Sequence, residues 1–67
     1  MKTLEEAIAS YQGLIDSYTT AIIKKYGVDE CSGTIGGYGM AIMEIYGVSK
    51  QYIMDRITPN LVSKNES

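Results

Sequence analysis

The first third of the chain carries a regular stripe of apolar residues on a polar background. These residues recur at alternating spacings of four and three: Leu4, Ile8, Tyr11, Ile15, Tyr18 and Ile22. Because an α-helix repeats about every 3.6 residues, this spacing places all of them on one helical face. Thr3 and Glu6 have the spacing of a capping box, in which each side chain bonds the other residue's backbone amide. The pattern therefore predicts a helix over residues 4–26.

This apolar face needs a surface to pack against, and two arrangements supply one. The spacing follows heptad positions over about three heptads, as in the seam of a coiled-coil dimer. Alternatively, the helix packs as a single copy against the rest of its own domain. Since about three heptads are the lower limit of a coiled-coil pattern, we favour packing within the domain. A chain of 67 residues buries a limited core, so we also expect a homodimer to add burial.

Two glycines occur in the same local sequence, and each is expected to end a helix. The tripeptide Tyr-Gly-Val occurs at residues 26–28 and again at residues 46–48. Glycine just past a helix end adopts the left-handed conformation without the penalty that a Cβ atom brings. The repeats therefore predict that helices end at Tyr26 and Tyr46, with Asp29 and Ser49 as the next N-caps.

Four glycines lie between these two turns, and each costs about 1 kcal/mol relative to alanine inside a helix. A second helix is therefore expected to begin between residues 32 and 38 and to end at Tyr46. Gly33, Gly37 and Ala41 follow one another at a spacing of four, which leaves one face of this helix nearly bare. We expect another helix backbone to pack closely against that face.

The remaining pattern predicts a third helix from Ser49 to about Thr58. Pro59 ends it, because the residue before a proline avoids the helical region. Residues 60–67 are polar and are expected to form a flexible tail. Together, these patterns predict a single all-α domain over residues 1–59, with three or four helices and a long amphipathic helix at the N-terminus.

The composition argues against several functional classes. The chain has no histidine and one cysteine, Cys31, so we expect no enzyme activity, no metal, no cofactor and no small-molecule substrate. Cys31 is expected to be a small buried apolar residue in a reducing compartment. The longest uncharged run, residues 31–43, is shorter than the about 20 residues that span a bilayer. The N-terminus lacks the apolar region of a signal peptide, so a cytoplasmic protein without membrane contact is expected.

The second turn belongs to a longer motif. Gly47 is followed by Val48 and Ser49, and Ile53 comes five residues after the valine. The glycine makes a left-handed turn, the valine fills the angle between two helices, and the serine caps the second helix. Ile53 and the isoleucine four residues later hold that helix on the core. Residues 39–57 therefore resemble the helix-turn-helix of bacterial and phage repressors.

The resemblance implies a DNA-binding transcription regulator that reads the major groove with the second helix of the motif. The side chains that would face DNA are Ser49, Lys50, Gln51, Met54 and Asp55. Gln51 would bond an adenine edge, and Lys50 a guanine or a phosphate. The motif departs from the family at Met43, where a small residue is usual and where bulk would open the angle between the helices. The charges between residues 34 and 58 also cancel, whereas DNA-binding proteins usually carry a basic surface.

Charge and tyrosine content favour a different function, that of a small protein-binding module. The formal net charge is −2 and the pI is about 4.8, which suits a basic partner better than nucleic acid. A phage-type inhibitor that docks on a larger host protein is one such module. Tyr11 and Tyr18 are expected in the core or an interface, and Tyr38 and Tyr52 are expected to be exposed. The resemblance makes DNA binding the first expectation and protein binding the alternative.

Overall fold

The computed structural model describes residues 1–59, and these residues form four α-helices and no β-strand. The helices are α1 (Leu4–Ser17), α2 (Thr20–Tyr26), α3 (Val28–Tyr46) and α4 (Lys50–Met54). The long helix α3 contacts each of the other three and is the centre of the domain. The predicted all-α fold is confirmed, whereas the predicted tail, residues 60–67, lies outside the described residues.

Helix α1 begins with the predicted capping box. The Glu6 backbone amide donates to Thr3 Oγ1 at 3.1 Å, and the Thr3 backbone amide donates to Glu6 Oε1 at 2.9 Å. The bond from the Thr3 backbone, aided by the Thr3 hydroxyl, holds the pKa of the Glu6 carboxyl below its ordinary value. The start of the first helix was therefore readable from two residues.

The predicted single helix over residues 4–26 is wrong, because the chain breaks after Ser17. The Ser17 hydroxyl donates to the carbonyl of Leu14 at 2.6 Å, and Thr19 Oγ1 accepts the backbone amide of Ile22 at 3.3 Å. Such short side chains offer the backbone hydrogen bonds that compete with helix continuation. Thr19 thus caps a new helix, α2, and the chain changes direction at Tyr18.

The apolar stripe of α1 packs inside the domain. Ile8, Tyr11 and Ile15 are buried against α3, with Tyr11 1% and Ile15 0% exposed. The face that would form a coiled-coil seam is therefore covered within one chain. Cys31 is buried in the same core, as predicted. Within residues 1–59, no helix is long and apolar enough to cross a membrane.

Helix α3 begins at Val28, so the predicted start between residues 32 and 38 is wrong. Gly27, with φ +92°, ends α2 and is itself the N-cap of α3, and Asp29 lies in the first turn rather than at the cap. The four buried residues of α3 recur at helical spacing: Cys31, Ile35, Gly39 and Ile42. Burying one isoleucine stabilises a fold by about 1.5–3 kcal/mol, which exceeds the about 1 kcal/mol that each glycine costs.

The predicted close packing on Gly33, Gly37 and Ala41 is also wrong among the described residues. All three are exposed, and a Cβ atom added at Gly33 or Gly37 would meet no atom within 4 Å. Close approach occurs instead at Gly39, where an added Cβ would lie 2.9 Å from the Tyr11 hydroxyl. Helix α3 therefore buries a different face from the one expected, because its buried isoleucines determine which face packs against the core.

Helix α4 ends at Met54, four residues before the predicted end at Thr58. The chain beyond it is held by α1: the Gln12 side chain accepts the backbone amide of Thr58 and donates to its carbonyl oxygen at 3.0 Å. This pair of hydrogen bonds to Thr58 adjoins Ile57, which is buried although it lies outside the helix. Gln12 therefore attaches the segment that follows α4 to helix α1.

Replacing Gln12 with alanine is expected to loosen this attachment. Since one hydrogen bond contributes a net of about 0.5–1.5 kcal/mol, losing the pair should lower the free energy of unfolding by about 1–3 kcal/mol. Urea denaturation measures this change, and hydrogen exchange at the Thr58 amide should quicken. Gln51→Ala is the matched control, because its amide bonds only one turn away, a contact that contributes about 0.2–0.5 kcal/mol. Equal losses in both variants would contradict the role of Gln12.

Candidate interaction surface at the α3–α4 corner

The turn between α3 and α4 has the local geometry that the motif predicts. Gly47 is left-handed, with φ +66° and ψ +36°, and its amide donates to the Met43 carbonyl at 2.9 Å. Ser49 caps α4, since its Oγ accepts the Tyr52 backbone amide at 3.1 Å. Val48 is half-buried against the core and Ile53 is 1% exposed. The predicted roles of Gly47, Ser49 and Ile53 are confirmed as structural roles, and Val48 packs against the core.

The helix that would read DNA is short. Helix α4 has five residues, which at about 1.5 Å per residue is less than two turns. Of the predicted reading residues, Ser49, Lys50, Gln51 and Asp55 are exposed and Met54 is half-buried. The Gln51 amide donates to Asp55 Oδ1 at 2.7 Å, and the Ser49 hydroxyl serves as the cap. Three of the five predicted reading residues are thus already engaged in hydrogen bonds within the protein.

The charges around this corner cancel, since Lys50 and Arg56 offset Glu44 and Asp55. Arg56 lies over the Tyr52 ring, with its guanidinium carbon 3.5 Å from the ring centroid, and it donates to the Tyr52 carbonyl at 2.9 Å. Asp55 stands one residue away, and Glu44 is exposed on α3. Nonspecific attraction to DNA grows with the number of phosphates that basic side chains neutralise. The corner therefore lacks the basic footprint that repressors of this type use.

A groove runs along the corner between α3 and α4. It has a volume of about 380 Å³ and is lined by Tyr11, Gly36, Gly39, Met40, Met43, Lys50, Ile53 and Met54. Three of these residues are methionines, and Met40 is 59% exposed at the rim. Methionine is unbranched and polarizable, so a methionine-lined surface adapts to different apolar partners. The sequence pattern does not predict this groove, although Met43 is bulky for its position in the motif.

The tyrosines divide between core and surface. Tyr11 is 1% exposed, so of the two places expected for it, the core or an interface, its ring lies in the core. Tyr38 stacks on it, with ring centroids 5.5 Å apart and planes 6° from parallel. Tyr18, Tyr38 and Tyr52 are half-buried, so the full exposure expected of Tyr38 and Tyr52 is not observed. The large apolar side chains exposed on α3 are Met40 and Ile45.

Comparison with known proteins found no family model that matches the chain and no curated protein or solved structure with significant similarity to it.

Proposed function

We propose that this chain is a small protein-binding module that docks on a larger protein through the groove between α3 and α4. The observation that carries the proposal is the groove's lining, in which Met40, Met43 and Met54 form an adaptable apolar surface at the edge of the buried core. Catalysis forms no part of this proposal, because the lining offers no nucleophile with a neighbouring base.

The proposal is tested by a pair of variants on one helix. Met40 lines the groove and Ile45 does not, yet each is 59% exposed, so an aspartate at either position perturbs folding to a similar extent. We expect Met40→Asp to abolish a stoichiometric complex that the whole chain forms in extract of its source organism, and Ile45→Asp to retain it. Quantitative affinity purification measures both. Equal recovery by the two variants would contradict docking through the groove.

A second candidate function is DNA binding, which the geometry of the turn favours. Gly47, Ser49 and Ile53 have the conformations and contacts that a helix-turn-helix requires. This function makes Lys50 and Gln51 the reading residues, and it predicts binding to duplex DNA that weakens steeply as salt rises. A heteronuclear NMR titration with mixed duplex DNA at low salt, repeated at about 150 mM, tests it. Chemical-shift changes confined to residues 47–56 would support DNA binding, and the absence of such changes at both salt concentrations would exclude it.

A further inference from the structure

The groove has the length of two turns of a partner helix. Its α3 wall runs from Gly36 to Met43, a distance of about 10.5 Å at roughly 1.5 Å per residue. An amphipathic helix that binds in a groove presents apolar side chains at positions i, i+3 or i+4, and i+7, which span the same distance. The dimensions of the groove therefore suit one apolar edge of a helix.

The floor of the groove is formed by buried core residues, and its sides carry flexible side chains. Tyr11 and Ile53, each 1% exposed, form the floor, and Gly36 and Gly39 add no side-chain bulk on the α3 side. Met40, at the open rim, and the half-buried Met43 and Met54 have flexible side chains that can close around an inserted residue. A partner side chain can thus be buried against a fixed surface without rearrangement of the core.

Lys50 is the charged residue in this lining. It is the first residue of α4, directly after the turn, so it stands at the end of the groove where the two helices join. The carboxylates nearest in sequence, Glu44 and Asp55, are not part of the lining, and Asp55 accepts a hydrogen bond from Gln51. The apolar stem of a lysine can line a groove while its ammonium group meets an anion at the edge.

Building on the proposed function, we infer that the groove takes an amphipathic helix of the partner protein whose apolar edge ends in an aspartate or glutamate paired with Lys50. The apolar positions supply burial against the methionines, and the carboxylate determines the direction in which the helix lies. A charge pair at an apolar contact adds specificity, because a partner that placed a positive charge beside Lys50 would be strongly disfavoured.

A displayed library of amphipathic helical peptides, panned against the full 67-residue chain, tests this inference. We expect enriched peptides to carry apolar residues at i, i+3 or i+4, and i+7, followed by a carboxylate. Replacing that carboxylate with its amide in a synthetic consensus peptide should weaken binding about tenfold or more, as expected for a close charge pair. The variant Lys50→Glu should lose at least as much affinity for the carboxylate peptide, because the two like charges repel, and should now prefer a lysine at that position. Lys24→Glu, an exposed lysine of α2 outside the groove, is the matched control and should bind as the original chain does.

The possible outcomes separate this inference from the function on which it rests. Peptides that bind without preference for a carboxylate, yet lose binding in Met40→Asp, would overturn the inference and leave docking through the groove intact. Peptides that bind equally well to Met40→Asp would overturn both. A concentration-dependent dimer in sedimentation equilibrium that Met40→Asp abolishes would assign the groove to a second copy of the chain, and it would overturn the inference as well. A library that yields no enriched helical peptide would also overturn the inference.

Discussion

Ile35→Ala is expected to leave the chain largely unfolded. Ile35 is 0% exposed at the centre of α3, and truncating a buried isoleucine to alanine costs about 2–5 kcal/mol. A domain below about 70–80 residues rarely gains more than about 3–5 kcal/mol from its core, so this loss approaches the whole stability. Far-UV circular dichroism and urea denaturation should show loss of helix and of a cooperative transition.

Ile45→Ala is the matched control for this experiment. It makes the same substitution in the same helix, but at a side chain that is 59% exposed. Its effect should stay within about 0.5 kcal/mol, the range usual for surface positions. If the two variants unfold at the same urea concentration, Ile35 is not at the centre of the core and the packing of α1 on α3 is wrong.

Two glycines of α3 should respond to alanine with opposite signs. An added Cβ at Gly39 would lie 2.9 Å from the hydroxyl and 3.2 Å from Cζ of Tyr11, whose ring is buried and stacked on Tyr38. Overpacking of this kind costs about 1–3 kcal/mol, of which the better helix propensity of alanine returns about 1 kcal/mol. Gly39→Ala should therefore destabilise by up to about 2 kcal/mol. Gly37→Ala, which meets open space, should stabilise by about 0.4–1 kcal/mol.

Thermal unfolding measures this difference, since 1 kcal/mol shifts the Tm of a domain this small by about 4–8 °C. A double-mutant cycle with Tyr11→Phe locates the cause, because that variant removes the atom closest to the added Cβ. Gly39→Ala should cost less in the phenylalanine background than in the original chain. An unchanged cost in the two backgrounds would mean that the Tyr11 hydroxyl is not what the new methyl group meets.

The helix ends were largely predictable from short stretches of sequence. Thr3 with Glu6 identified the first cap, and the two Tyr-Gly-Val sequences identified the ends of α2 and α3. Ser49 and Ile53 likewise had their predicted roles at the second turn. These features depend on hydrogen bonds and conformational preferences within a few residues, so the neighbouring residues are enough to predict them.

Other elements depended on competition between local signals. The stripe from Leu4 to Ile22 continues through the break at Tyr18, so periodicity alone joined two helices into one. The serine and threonines around that break were the available signal, and their hydroxyl bonds redirected the backbone. For α3 the prediction made the helix too short rather than too long. It gave the local cost of the glycines more weight than the burial of the isoleucines.

The candidate site was the least predictable feature. Its residues come from α1, α3 and α4, and Met43 and Met54 become neighbours of one groove only when the corner folds against Tyr11. Likewise, the close contact of Gly39 with Tyr11 joins residues from different helices and has no local signature.

Sequence alone is enough to predict that this protein is helical, that Thr3 and Ser49 are helix caps, that glycine turns follow Tyr26 and Tyr46, and that Gly47 and Ser49 close a tight α3–α4 corner. These outcomes follow from backbone preferences and hydrogen bonds that act over a few residues. Tertiary structure decided which face of α3 is buried, how far α4 extends, and that Gln12 holds the chain at Thr58. It also assembled the groove, because the burial of apolar side chains brings together segments that are distant in the chain. Which side chains become buried therefore depends on the fold as a whole.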